Sequence, residues 1–140
     1  MDEAQYWAIV ERAKARGGSH VHARVSTVRD ELRALPLEGL IAFHECHVRV
    51  YRTLLTQSFA EAAMKAALAD DDEFAHAAVS WVLSEGEQLY SAVRTDAAVL
   101  GDYPVRRLAS LLSEYATTSY ELLAAENIVA VDPLSLDPSA

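Results

Sequence analysis

Apolar residues recur at steps of three and four along nearly every stretch of this chain, and nowhere do they alternate for long. That spacing matches the 3.6-residue turn of a helix and not the two-residue pleat of a strand, so the expected fold is all-α. Val21, Val25, Val28, Leu32 and Leu35 form the clearest seam, and Pro36 ends it. The boundaries are marked as well. Asp2 with Gln5 makes a capping-box pattern ahead of Tyr6, Ile9, Val10 and Ala13, and Gly17-Gly18 closes that helix. Pro36 suits the first turn of a third helix, which runs from residue 37 to about residue 55. Ser58 with Glu61, Asp70 with Glu73, and Ser84 with Glu87 are further candidate caps, with Gly86 marking a bend. After the "GDYP" turn, Val105, Leu108, Leu112, Tyr115, Ser119 and Leu122 predict a long last helix.

With 140 residues, 51% of them hydrophobic, the chain is long enough to bury one core. The expectation is a compact single-domain bundle of about six or seven helices over residues 1–128. Residues 129–140, which hold the stretch "VDPLSLDPSA", read as a flexible tail because of their two prolines. Apolar runs are short, and the acidic start "MDEAQYW" has no basic region followed by an apolar core, so a cytoplasmic protein without a membrane anchor is expected. The lone Cys46 has no internal disulfide partner.

Charge divides unevenly. Residues 1–52 hold eight Lys/Arg against seven Asp/Glu, a net of +1, while residues 53–140 hold four against fourteen, a net of −10. Such an acidic half repels phosphate backbones, which argues against nucleic acid and in favour of a basic protein partner. Asp70, Asp71, Asp72, Glu73, Glu85 and Glu87 are the candidate docking residues. The run "DDDE" also suits a helix N-terminus, and it lacks the spaced ligands and central glycine of a calcium loop.

The stretch "FHECHVRVY", residues 43–51, resembles a metal site when read as text. On a helix it divides: Cys46 lies roughly 160° around from His44, and Glu45 roughly 100° the other way. This places Cys46 on an exposed or flanking face and leaves His44 and His47 leaning inward. Glu73 and His76 repeat the Glu-x-x-His spacing of di-iron bundles, but the second such pair and the extra inward glutamates are lacking. No metal or cofactor is therefore expected, and the two histidines are assigned polar contacts inside the bundle. A second possibility is a pocket for catalysis or ligand binding built from His44, His47, Tyr51, His76, Trp81 and Tyr90, with a carboxylate such as Glu114 beside His44. Trp81 is in phase with Phe74 and Ala78 as a core residue, whereas Tyr90, past the Gly86 bend, is better placed to line a groove. No dinucleotide fingerprint, phosphate loop or nucleophile elbow occurs.

The run "WVLSEGEQLY", Trp81 to Tyr90, with "DDDEF" upstream, resembles the Trp-x-x-Ser-x-Gly-x-x-x-Tyr core of a bacterial family, domain of unknown function 4240. "QYWAIVERAKA", "LRALPLEGLIAF" and "SEYATTSYE" resemble the same family's opening, Leu-Pro-x-Glu segment and last helix, so the likeness spans most of residues 5–125. The family's Trp-rich stretch and Gly-Gly-Cys are replaced here by "LTQSFAEA" and "AALADDD", which marks a divergent member. The resemblance implies a helical fold and a bacterial origin, and it brings no activity. The functional expectation is a protein-binding or regulatory module of the immunity or adaptor kind.

Overall fold

The computed structural model describes residues 1–67, 72–105 and 113–138. Helices α1 (Glu3–Gly17), α2 (Val21–Arg33), α3 (Leu37–Leu54), α4 (Gln57–Ala67), α5 (Asp72–Glu85) and α6 (Glu87–Thr95) follow in order. A 3-10 segment, Ala97–Asp102, then leads towards α7 (Ser113–Ala125), and a 3-10 turn, Pro133–Ser135, comes last. There is no strand among the described residues, as the absence of alternation predicted.

Local signals account for most boundaries. The Asp2 carboxylate accepts from the Gln5 amide at 2.8 Å while the Gln5 side chain accepts from the Asp2 amide at 3.0 Å, which completes the capping box. Gly18 ends α1 at φ 61°, and its N–H donates to the Lys14 carbonyl. Two caps differ from expectation. Helix α4 begins one residue before Ser58, and Thr56 caps it, its hydroxyl accepting from the Phe59 amide at 3.1 Å. Ser84 does not cap α6; its hydroxyl donates to the Trp81 carbonyl, and Gly86 takes the cap position at φ 110°. Only glycine tolerates that backbone easily.

Helix α3 is in contact with α1, α5, α7 and the C-terminal turn. Leu40, Phe43, Cys46, Val50, Tyr51 and Leu54 are all buried, so its covered surface extends well beyond one stripe. The α2 seam of Val25, Val28 and Leu32 is buried within the bundle, since α2 packs on α1 and α7. The chain after α7 is placed against the bundle as far as residue 138. Helix α7 ends in a Schellman motif: Asn127 sits at φ 59°, its N–H donates to the Ala124 carbonyl, and the Ile128 N–H donates to that of Leu123. The chain then runs back beside α3, Asp132 caps the last turn and Pro133 is buried. Pro133 opens that turn, where its missing N–H is not needed.

Candidate functional site

Three places in the bundle hold polar groups, and each is built by a different set of helices. The first is the histidine column of α3. His47 is 2% exposed, with Nε2 at 3.0 Å from the Ala116 carbonyl of α7 and Nδ1 at 2.8 Å from the Tyr6 hydroxyl of α1. A carbonyl only accepts, so Nε2 carries the hydrogen and Nδ1 accepts from Tyr6. Burial opposes the charged form and lowers the His47 pKa to about 4, so the ring is neutral near pH 7. His44 follows the same logic one turn earlier. Its Nε2 donates to the Val131 carbonyl and its Nδ1 accepts from Ser119 on α7, both at 2.8 Å. Burial lowers its pKa too, against the smaller opposing effect of the Val131 carbonyl.

Tyr51, one turn beyond His47, lies 2.7 Å from His76 Nδ1 on α5. Burial raises the Tyr51 pKa, so it serves as a neutral hydroxyl. Rings run along this column, Tyr6 to Phe43 at 4.9 Å, Phe43 to His47 at 6.0 Å, and His47 to Tyr51 at 6.1 Å. The structure thus brings His44, His47, Tyr51 and His76 into one interior neighbourhood, with the ring nitrogens of His44 and His47 bonded to hydroxyl and carbonyl oxygens. No group of three metal-binding side chains occurs among the described residues. Glu114, offered as a carboxylate beside His44, is exposed on α7, and Ser119 stands in the partner position.

Trp81 and Tyr90 are elsewhere. Trp81 is buried with its ring edge-on to Tyr103 at 5.4 Å, a core residue as expected. Tyr90, expected to be better placed to line a groove, is 3% exposed and packs on Trp7 at 5.1 Å, with the Arg94 guanidinium over its ring. Cys46, expected on an exposed or flanking face, is fully buried because α1 covers that side of α3. Burial raises its thiol pKa, and the Arg49 guanidinium donates to its sulfur at 3.2 Å.

The second place joins α1, α2 and α5. Arg24, 5% exposed, donates to the Glu85 carboxylate at 2.6 Å, while Lys14 donates to the Glu85 carbonyl at 2.9 Å. Glu85, expected on a docking surface, is therefore turned into the bundle and neutralised. Gly17 makes room for the arginine, since a Cβ there would lie 3.3 Å from Arg24 Cγ. At Gly86 a Cβ would run into the Glu11 carboxylate. Arg24 Nε, Trp81 Nε1 and Tyr115 Oη are buried with no hydrogen-bond partner among the described residues. Sequence reasoning passed over Arg24; the signal was an arginine set between Val21, Val25 and Val28, on the edge of an apolar seam.

Of the other docking candidates, Glu87 is exposed at the start of α6. Asp70 and Asp71 lie outside the described residues, and Asp72 and Glu73 are described only as the backbone that opens α5.

The third place is a groove of about 310 Å³ between α3 and the returning chain, lined by Ile41, His44, Glu45, Val48 and Arg52 on one side and residues 128–131 on the other. No described helix is long and apolar enough to cross a membrane. Neither a curated protein nor a solved structure matches this chain. Residues 1–131 match the family described as Protein of unknown function (DUF4240), and with that span covering nearly the whole bundle, its Trp81, Ser84, Gly86 and Tyr90 included, the chain belongs to this family.

Proposed function

We propose that this protein is a protein-binding or regulatory module, of the immunity or adaptor kind, that docks a basic partner on its acidic half. The observation that carries the reading is where the charges are paired. Six ion pairs join Arg12, Lys14, Arg16, Arg24 and Arg49 to Glu3, Asp30, Glu31 and Glu85. Only Glu85 among these acids comes from residues 53–140. Glu61, Glu87, Asp96, Asp102, Glu114, Glu121 and Glu126 are exposed, and the described residues give none of them an ion pair. Unpaired like charges spread over one half of a small protein steer oppositely charged partners and repel nucleic acid. Asp70, Asp71, Asp72 and Glu73 would add to this field by their charge alone.

The rival reading, an enzyme or ligand-binding bundle with a histidine pocket, with or without a metal, asks for a ring nitrogen available to substrate or ion. Support for it is reduced at His44 and His47, where all four ring nitrogens are engaged. The docking reading is tested by isothermal titration of the basic products of neighbouring genes against the wild type and a Glu87→Lys/Glu114→Lys/Glu121→Lys variant, at 20 and 300 mM salt. Binding at low salt that weakens about tenfold or more in the variant and in high salt is expected. Absence of binding, or binding indifferent to both changes, refutes it.

A further inference from the structure

Two polar groups are sealed inside the bundle where α2 and α7 pack on each other. Arg24 of α2 is 5% exposed and Tyr115 of α7 is 4% exposed, and neither the Arg24 Nε–H nor the Tyr115 hydroxyl has a hydrogen-bond partner among the described residues. The two lie within electrostatic reach of one another. Burial raises the Tyr115 pKa, and the Arg24 guanidinium draws it partly back. A buried donor on a charged group is costlier to leave unpaired than one on a neutral group, and native interiors seldom keep one.

The rest of the arginine is already engaged. Its Nη1 donates to the Glu85 carboxylate at 2.6 Å and approaches the Ser84 hydroxyl at 3.4 Å, and that hydroxyl donates to the Trp81 carbonyl at 2.7 Å. Along the stem, Arg24 Cγ lies so close to Gly17 that a Cβ there would stand 3.3 Å away. Held at its tip and along its stem, the side chain is not free to swing Nε–H onto the Tyr115 hydroxyl.

Charge and hydrogen-bond capacity decide what class of group answers these two atoms. Lys14 and Arg24 bring two positive charges to the junction, and Glu85, with Glu11 whose carboxylate abuts Gly86, brings two negative ones. An anion would enter a neighbourhood whose cations are already matched, a cation would meet the guanidinium, and an apolar group would leave both atoms unpaired. Nε–H only donates, whereas the Tyr115 hydroxyl both donates and accepts, so a neutral molecule with lone pairs and hydrogens of its own suits both. Water is the smallest such molecule, and a buried water typically makes about three hydrogen bonds.

We propose that the junction of α1, α2, α5 and α7 is an internal water-binding site, in which water accepts from the Arg24 Nε–H and bonds to the Tyr115 hydroxyl. The water links α2 to α7 as the Glu85 carboxylate links α2 to α5, and it completes the pairing of the arginine without a second acid. Ser84, within the run from Trp81 to Tyr90, adds a contact to the face of the guanidinium that meets α5. The site is independent of the docking surface.

Crystals of the full chain grown with sodium bromide as the only halide test the proposal. Solvent density is expected within hydrogen-bond distance of Arg24 Nε and Tyr115 Oη, as one shared peak or two peaks in contact, with no anomalous signal at the bromine edge. In solution, deuteron magnetic relaxation dispersion counts long-lived internal waters, and Tyr115→Phe is expected to lower that count by at least one while the circular dichroism stays that of the wild type. Should the variant fail to fold, the wild-type density decides. A bromide signal at the site, a protein group bonded to Arg24 Nε, absence of density between the two residues, or an unchanged count in a folded variant each overturns it.

Discussion

Acidification is expected to destabilise this bundle well above the pH at which ordinary carboxylates protonate, through His47. In the folded state its Nδ1 lone pair is committed to the Tyr6 hydroxyl and its ring is sealed between α1 and α7, with a pKa of about 4. In the unfolded chain it takes a proton near its ordinary value of about 6.5. Between these values the unfolded state binds about one proton more than the folded state, so stability falls as pH falls, by roughly 1.2 kcal/mol per pH unit near pH 5.3. The loss totals about 3 kcal/mol once pH is below 4, and above about pH 6.5 it disappears. For a domain whose whole stability is about 5–15 kcal/mol this is a large share. Urea denaturation of the wild type and of His47→Gln at intervals from pH 7.5 to 4.5 isolates the effect, because other titrating groups are common to both proteins. The variant is less stable at pH 7 but has a shallower slope between pH 6.5 and 5. Equal slopes would refute the account, as would an NMR titration in which the His47 ring protons shift with a midpoint near 6.5.

Other consequences follow from the packing. Arg24→Met removes the buried partner of the Glu85 carboxylate and leaves it to Lys14 and solvent, which is expected to cost about 1–3 kcal/mol in chemical denaturation, whereas the double variant with Glu85→Leu recovers part of that loss. Gly86→Ala meets both an unfavourable φ and the Glu11 carboxylate, and a loss of about 1–3 kcal/mol is expected; adding Glu11→Ala relieves only the steric share. Thr56→Ala removes the α4 cap and lowers stability by about 1 kcal/mol, while Ser58→Ala changes little, which a thermal melt of the pair distinguishes. Cys46 reacts with a thiol reagent such as dithionitrobenzoate only at the rate of unfolding, and rapid labelling of the native protein contradicts its burial.

What was legible in the sequence was local. The capping box at Asp2 and Gln5, the glycine stop at residue 18 and the α2 seam depend on residues within two turns of one another, so spacing alone conveys them. His44 and His47 were also placed correctly as inward-leaning, since phase on a helix is a local property. Their partners were not legible, because Tyr6, Ala116, Ser119 and Val131 lie 41 to 87 positions away. Cys46 was misplaced for a related reason: a helical wheel assumes one buried face, and α3 is covered by several neighbours. Glu85 reads as a surface acid beside Glu87, and only the approach of α2 turns it inward. The course of the chain after α7 was not legible, since prolines and small residues are common to true tails and to fixed turns.

The position of α3 also bears on synthesis. Leu37 to Leu54 has left the ribosome long before Ala116, Ser119 and Val131, which satisfy His44 and His47. Until that last fifth of the chain emerges, the nascent helix lacks the carbonyls and the hydroxyl of α7 and the chain beyond it that hold its two imidazoles, and the side that faces α7 is uncovered. A truncation ahead of Ala116 is expected to leave that side bare while α1 and α5 still pack on the rest of the helix.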